Sequence, residues 1–157
     1  LCGGISFVDI ANLTLRNIVE GRLIYQRQKT HGNINLLLSD EALKIIQKYN
    51  KYCQQAGYLF PILHNQRHIT PMQKSNRIHK ICHQVNTELR TFATELGITA
   101  EVTTYVARHS FATILKKSGV NIGIISQALG HQDIKTTQIY LSKFDNEQVD
   151  EAMKNLL

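Results

Sequence analysis

Hydrophobic residues along this chain change their period several times, and each change predicts an element. Phe7 to Leu15 reads as a short helical stretch. Gly21 breaks that pattern, and Arg22 to Gln28 then alternates like a strand. Thr30-His31-Gly32-Asn33 carries turn chemistry, and Ile34 to Leu38 returns as a second strand, so the segment predicts a β-hairpin. Ser39 suits an N-cap. From Glu41 to Cys53, Ala42, Ile45, Ile46, Tyr49 and Cys53 recur at the spacing of one helical face. Phe60-Pro61 and Thr70-Pro71 mark a surface loop rich in His and Arg, followed by a long helix from Asn76 to Leu96 that Gly97 ends. Thr103 caps a helix running to Lys117, and Asn121 caps another running to Leu129, with Gly119 and Gly130 as their stops. Asp133 starts a short helix carrying Tyr140. Asn146 to Leu156 predicts a last amphipathic helix with Val149, Met153 and Leu156 on one face. The expected fold class is mainly α with a small antiparallel β-sheet, an α+β domain.

At 157 residues the chain has room for one core and one domain. Leu1 is not an initiator methionine, and Leu1 to Ile10 reads as the end of one helix entering another, so residues 1–157 read as a fragment of a larger protein. Lys and Arg outnumber Asp and Glu by 18 to 12, a net charge of +6, and the pI near 9.3 favours an acidic polymer as partner. No apolar run reaches the roughly 18 residues of a membrane span, and no signal peptide opens the chain. Cys2, Cys53 and Cys82 are odd in number and unpatterned, which suits a reducing cytoplasm rather than a disulfide framework.

Chemistry concentrates in the last third: Arg108-His109-Ser110-Phe111-Ala112-Thr113, then Leu129-Gly130-His131, then Tyr140. Any one of these occurs by chance, whereas the ordered set is specific. It resembles the catalytic domain of the tyrosine recombinases, the phage-integrase family, and the resemblance runs from Leu1 to about Asp145. It implies an enzyme that cuts DNA through a covalent 3′-phosphotyrosine and rejoins it, with no metal or nucleotide cofactor. It also implies double-stranded DNA as partner, a homo-tetramer on DNA in the full-length form, accessory DNA-bending proteins and a bacterial cytoplasmic setting. An N-terminal DNA-clamping domain and the first catalytic helices would precede Leu1.

By that resemblance Tyr140 is the nucleophile. Its phenol, with a free pKa of about 10, needs neighbours that take or stabilise its proton. Arg108 matches the family's arginine motif; a guanidinium is always charged and binds a phosphate with two prongs, as charge build-up on the non-bridging oxygens requires. His131 takes the place of the histidine that hydrogen-bonds the scissile phosphate. Lys29, at the end of the first hairpin strand, matches the hairpin lysine that protonates the leaving 5′ oxygen. Arg22 and Arg27 nearby read as solvated strand residues.

Two positions depart from the family pattern. The second motif normally reads His-x-x-Arg, and here Tyr105 stands in the histidine column, three residues before Arg108 and on its face of the helix. Tyr105 can hydrogen-bond the phosphate or Tyr140; as a plain helix residue it would be half-buried. The first family arginine is Ser6, and Asp9 stands in the following glutamate column, a pattern resembling integrases of Bacteroides-type mobile elements. Arg16, Arg22, Arg27 or an upstream residue are the candidates for the missing charge. Asp9 orients Tyr105 or a basic group, unless it is a helix-surface carboxylate. Two rival readings remain: a zinc site from His64, His68, His79, Cys82 and His83, and a non-catalytic helical DNA-binding module.

Overall fold

A computed structural model describes residues 3–53 and 56–142, with the side chains of 51 and 52 set aside. Helix α1 (Phe7–Asn12) starts at Ser6, whose hydroxyl accepts the Asp9 N–H. A turn of 3₁₀ helix (Leu15–Asn17) leads into a three-stranded antiparallel sheet, β1 (Ile18–Val19), β2 (Arg22–Gln26) and β3 (Asn33–Leu37), in the order β1-β2-β3. The predicted hairpin is β2–β3, with Leu23 opposite Leu36 and Tyr25 opposite Ile34. The structure adds β1, too short to show a period. Val19 pairs with Arg22 across Glu20 and Gly21, both at positive φ (49° and 72°), which is the two-residue type I′ turn that matches strand twist. The sequence reading takes Gly21 as a break, and it is the second residue of that turn.

Helix α2 (Asp40–Cys53) begins beside Ser39, whose Oγ accepts the Ala42 N–H at 3.3 Å. It buries Ala42, Ile46 and Cys53 but leaves Ile45 and Tyr49 partly in solvent, so the buried stripe is narrower than the apolar one. Helix α3 (Pro71–Glu95) starts five residues before the predicted Asn76. Thr70 and Gln73 form a reciprocal capping box and Pro71 fills the first turn, where a missing N–H costs nothing. Helices α4 (Thr104–Lys117), α5 (Ile122–Leu129) and α6 (Ile134–Ser142) begin where the sequence predicts, after Thr103, Asn121 and Asp133, and α4 and α5 also end as predicted. The helix expected over 146–156 lies outside the described residues.

Three apolar clusters hold these pieces. Leu13, Leu23, Tyr25, Ile34, Leu38, Ala42, Ile46 and Leu59 pack the sheet onto α2. Ala11, Ile62, Leu63 and Ile78 join α1 to α3, and Ala112, Ile125, Leu129 and Leu141 join α4, α5 and α6. The domain is therefore mainly helical with one small sheet, as the sequence pattern predicts. Among the described residues no helix is long and apolar enough to cross a membrane.

Candidate active site

The C-terminus of α5 is the scaffold of the site. A helix end leaves carbonyls without partners inside the helix, and here two guanidinium groups take them. Arg108 on α4 donates from Nη2 to Leu129 O at 2.6 Å and from Nη1 to Gly4 O. Arg27, just past β2, donates from Nη1 to the same Leu129 O at 2.9 Å and to Gly130 O at 3.2 Å. Gly130 is required twice over. Its φ of +63° is left-handed, and a Cβ there would collide with the Arg27 side chain and with Ile34.

The burial of Arg27 corrects the solvated reading of that residue. It is 6% exposed, with its Nε 3.5 Å from Asp9 Oδ2. Asp9 is itself buried, accepting from Ser6 Oγ at 2.6 Å and from the Gln28 N–H at 2.9 Å, so it orients a basic group rather than Tyr105. A signal for this was present: alternation along β2 puts Arg27 on the same face as Leu23 and Tyr25, the face that is buried. Of the other candidates for the missing charge, Arg16 is exposed and Arg22 hydrogen-bonds Asn35 on the sheet.

The chain leaving Gly130 sets His131 against Arg108. Its backbone N–H bonds Ser126 O, its Nδ1 lies 2.8 Å from Thr137 Oγ1, and its Nε2 lies 3.4 Å from Arg108 Nη2. A guanidinium only donates, so this pairing puts the ring proton on Nδ1, facing Thr137. Burial, followed by the charges of Arg108, Arg27 and Lys29, lowers the His131 pKa to about 4. The Arg108 pKa is lowered too, by burial and then by the Arg27 charge. Three cations therefore act on one point, against one buried carboxylate among the described residues, that of Asp9.

Tyr140 arrives from α6. Its hydroxyl is buried and takes no hydrogen bond among the described residues, and burial together with Tyr105 raises its pKa to about 12 despite the opposing pull of Arg108. Its ring lies edge-on to His131 at 6.1 Å and flat against His109 at 4.2 Å. Tyr105 is 61% exposed, packs edge-on against His109, and makes no hydrogen bond to Tyr140. The structure thus brings together Arg108, His131 and Tyr140, with Tyr105 on the rim. The contact of His109 with Tyr140 goes unread in the sequence, although its place four residues after Tyr105 is the available sign.

Lys29 stands in the turn between β2 and β3, beyond the strand end where the sequence reading puts it, and is exposed. The turn is tied to the α5 terminus through Thr30 Oγ1 to Gly130 O at 2.8 Å and through the Gln132 side chain to Thr30 O. These bonds carry Lys29 close enough for its charge to act on His131. Elsewhere, the His64 N–H bonds His68 Nδ1, and Cys82 sits near Thr104 and Asn86. Among the described residues no three His, Cys, Asp or Glu side chains gather as a metal site would require.

The fold is that of a tyrosine recombinase catalytic domain. The phage integrase family model matches residues 3–147, and the chain belongs to that family. It is 28% identical to tyrosine recombinase XerA of Saccharolobus solfataricus over 139 residues, 87% of this chain and 41% of that protein. It is 30% identical to tyrosine recombinase XerD of Agrobacterium fabrum, covering 77% of this chain and 39% of that one. The chain thus spans less than half the length of these curated relatives. The crystal structure of XerA recombinase shares the fold with a TM-score of 0.68 at 23% identity, over 98% of this chain and 53% of that one. XerH recombinase bound to a palindromic difH substrate, a post-cleavage complex, does so at 0.68 and 17% identity, over 97% and 42%.

Proposed function

We propose that residues 1–157 form the catalytic domain of a site-specific DNA recombinase that cleaves and rejoins double-stranded DNA through a 3′-phosphotyrosine. The observation that carries this reading is the pair of buried guanidinium groups, Arg108 and Arg27, sharing Leu129 O beside His131 and Tyr140. So much fixed positive charge, with one carboxylate against it, suits an anion that gains charge in the transition state.

In this reading Arg108 grips the non-bridging oxygens of the scissile phosphate, and Arg27 supplies the charge that Ser6 does not. Tyr140 Oη attacks phosphorus and passes its proton to solvent water as the bond forms. The bond from phosphorus to the 5′ oxygen breaks, and Lys29 protonates that oxygen; attack by a 5′ hydroxyl reverses the steps and rejoins the strand. His131 hydrogen-bonds the phosphate, whose charge raises the histidine's pKa from its low free-state value. Tyr105 lends a hydroxyl at the rim. Side-chain cations take the part that a metal ion plays in other phosphoryl-transfer sites. XerH, which shares the fold, is bound to a palindromic substrate, and two-fold DNA suits a symmetric assembly; a homo-tetramer on DNA, which the family resemblance implies, is the proposed working form of the full-length protein.

Tyr140→Phe tests the reading. Removing one hydroxyl deletes the nucleophile and touches no phosphate-binding charge, so DNA binding should persist while covalent attachment disappears. The probe is a nicked duplex whose sequence is selected from a randomised pool by binding to the Tyr140→Phe protein. A covalent adduct with the variant would refute the assignment, and a wild-type protein that binds the nicked duplex but never attaches to it would favour a DNA-binding module.

A further inference from the structure

Arg108 turns inward to α5, while its neighbour His109 does something different on the same helix. The His109 imidazole lies on the Tyr140 ring with centroids 4.2 Å apart and planes within 9° of parallel. Tyr105, one turn earlier, meets His109 edge-on at 4.3 Å and 83°. Among the described residues the Tyr140 hydroxyl makes no hydrogen bond, so no polar contact among them aims the phenol. What holds the ring is packing: the apolar floor of Ala112, Ile125, Leu129 and Leu141 on one hand, and the His109 plate on the other.

We propose that His109 is the positioning residue of the nucleophile, its imidazole face fixing the tilt of the Tyr140 ring. The proposal rests on Tyr140 being the nucleophile. The phenol oxygen lies on the long axis of its ring, so spinning about that axis leaves the oxygen in place and only tilting moves it. A flat plate against the ring blocks tilt towards α4. Parallel planes also keep the imidazole N–H and lone pair in their own plane, so that neither is aimed at the phenol hydroxyl. The role is therefore orientation and not proton transfer. Misplacing a reacting atom by about 1 Å costs on the order of 10²-fold in rate, so a side chain with no polar contact to the phosphate can govern cleavage.

The test uses the full-length protein and the selected nicked duplex, reading the rate of covalent attachment at saturating DNA, DNA affinity and thermal midpoint. His109→Leu should slow attachment by about 10²-fold with DNA affinity unchanged. His109→Phe restores a flat ring without a titratable nitrogen, and should recover most of that rate with the pH profile of the wild type. If His109→Phe is as slow as His109→Leu, or its pH profile loses a limb, the imidazole does chemistry and the plate idea is overturned. Wild-type speed in His109→Leu overturns it as well. Should His109→Leu fail to fold, the rate and pH profile of His109→Phe decide alone, by the same outcomes. An adduct persisting in Tyr140→Phe would instead defeat the underlying reading, whatever the His109 series gives.

Discussion

Under the sheet, the buried side chains Leu23, Ile34, Leu38, Ala42 and Ile46 need only fill space against one another. Where the hairpin turn meets α4 and α5, the buried side chains include Asp9, Arg27, Arg108, Ser126 and Thr137. An apolar cluster gains from every area it removes from water. A buried ionic cluster loses hydration on each charge and recovers it only through well-made contacts, so it adds little to stability for its size. The polar corner shows such contacts throughout: carbonyls of Leu129, Gly130 and Gly4 for the guanidinium groups, and the Ser6 hydroxyl and Gln28 amide for Asp9. Its cations still outnumber its carboxylate. One region holds the fold, and the other, in the proposed function, receives an anion.

The difference is testable by mutating each region and reading both stability and cleavage. The largest effect should come from Arg108→Lys. A point charge cannot replace a two-pronged donor, and losing one preorganised donor lowers the attachment rate by ~10²–10³-fold. If attachment on the nicked duplex falls less than tenfold, Arg108 does not hold the scissile phosphate. Leu23→Ala, at 1% exposure in the apolar cluster, should do the opposite. It should cost about 2–5 kcal/mol of stability by leaving a cavity, yet leave the attachment rate of the folded fraction near that of the wild type. Chemical denaturation beside single-turnover cleavage checks both halves, and a chemical defect in folded Leu23→Ala would join the two regions that are held apart here.

The smallest effect is a pH dependence. Folding holds the His131 pKa at about 4, against 6.5 as its ordinary value, because burial and three nearby cations oppose its charge. Between those values the unfolded chain binds a proton that the folded chain does not, so stability rises with pH there. The contribution is full above 6.5 and is lost as pH falls towards about 4. His131→Gln should flatten that limb of the thermal midpoint profile, and an unchanged limb would mean that other groups set it.

Much of this was legible in the sequence, for local reasons. Thr103, Asn121 and Gly130 cap their helices through contacts within a few residues, so the frame that carries Arg108, His131 and Tyr140 follows from short-range chemistry. Alternation predicted the hairpin, although Lys29 sits in its turn and not at the strand end. What stayed hidden depends on distant partners. Arg27 meets Leu129 and Gly130 across roughly a hundred positions, and only its inward place in the alternation that continues past β2 hints that it is buried. The stack of His109 on Tyr140 joins α4 to α6, and no period within either helix encodes it. The two-residue β1 is too short for any pattern, and the early start of α3 was open to a closer reading of Thr70-Pro71-Met72-Gln73 as a capping box.

The central claim is that the phenol set beside the paired guanidinium groups is the one that attacks DNA. Trapping the wild-type protein on a nicked duplex, digesting it and weighing the peptide left on the DNA by mass spectrometry tests this most directly. The account predicts a peptide containing Ile139-Tyr140-Leu141 joined through Tyr140 to a 3′ phosphate. A linkage at the exposed Tyr105, or at any residue outside α6, would contradict it.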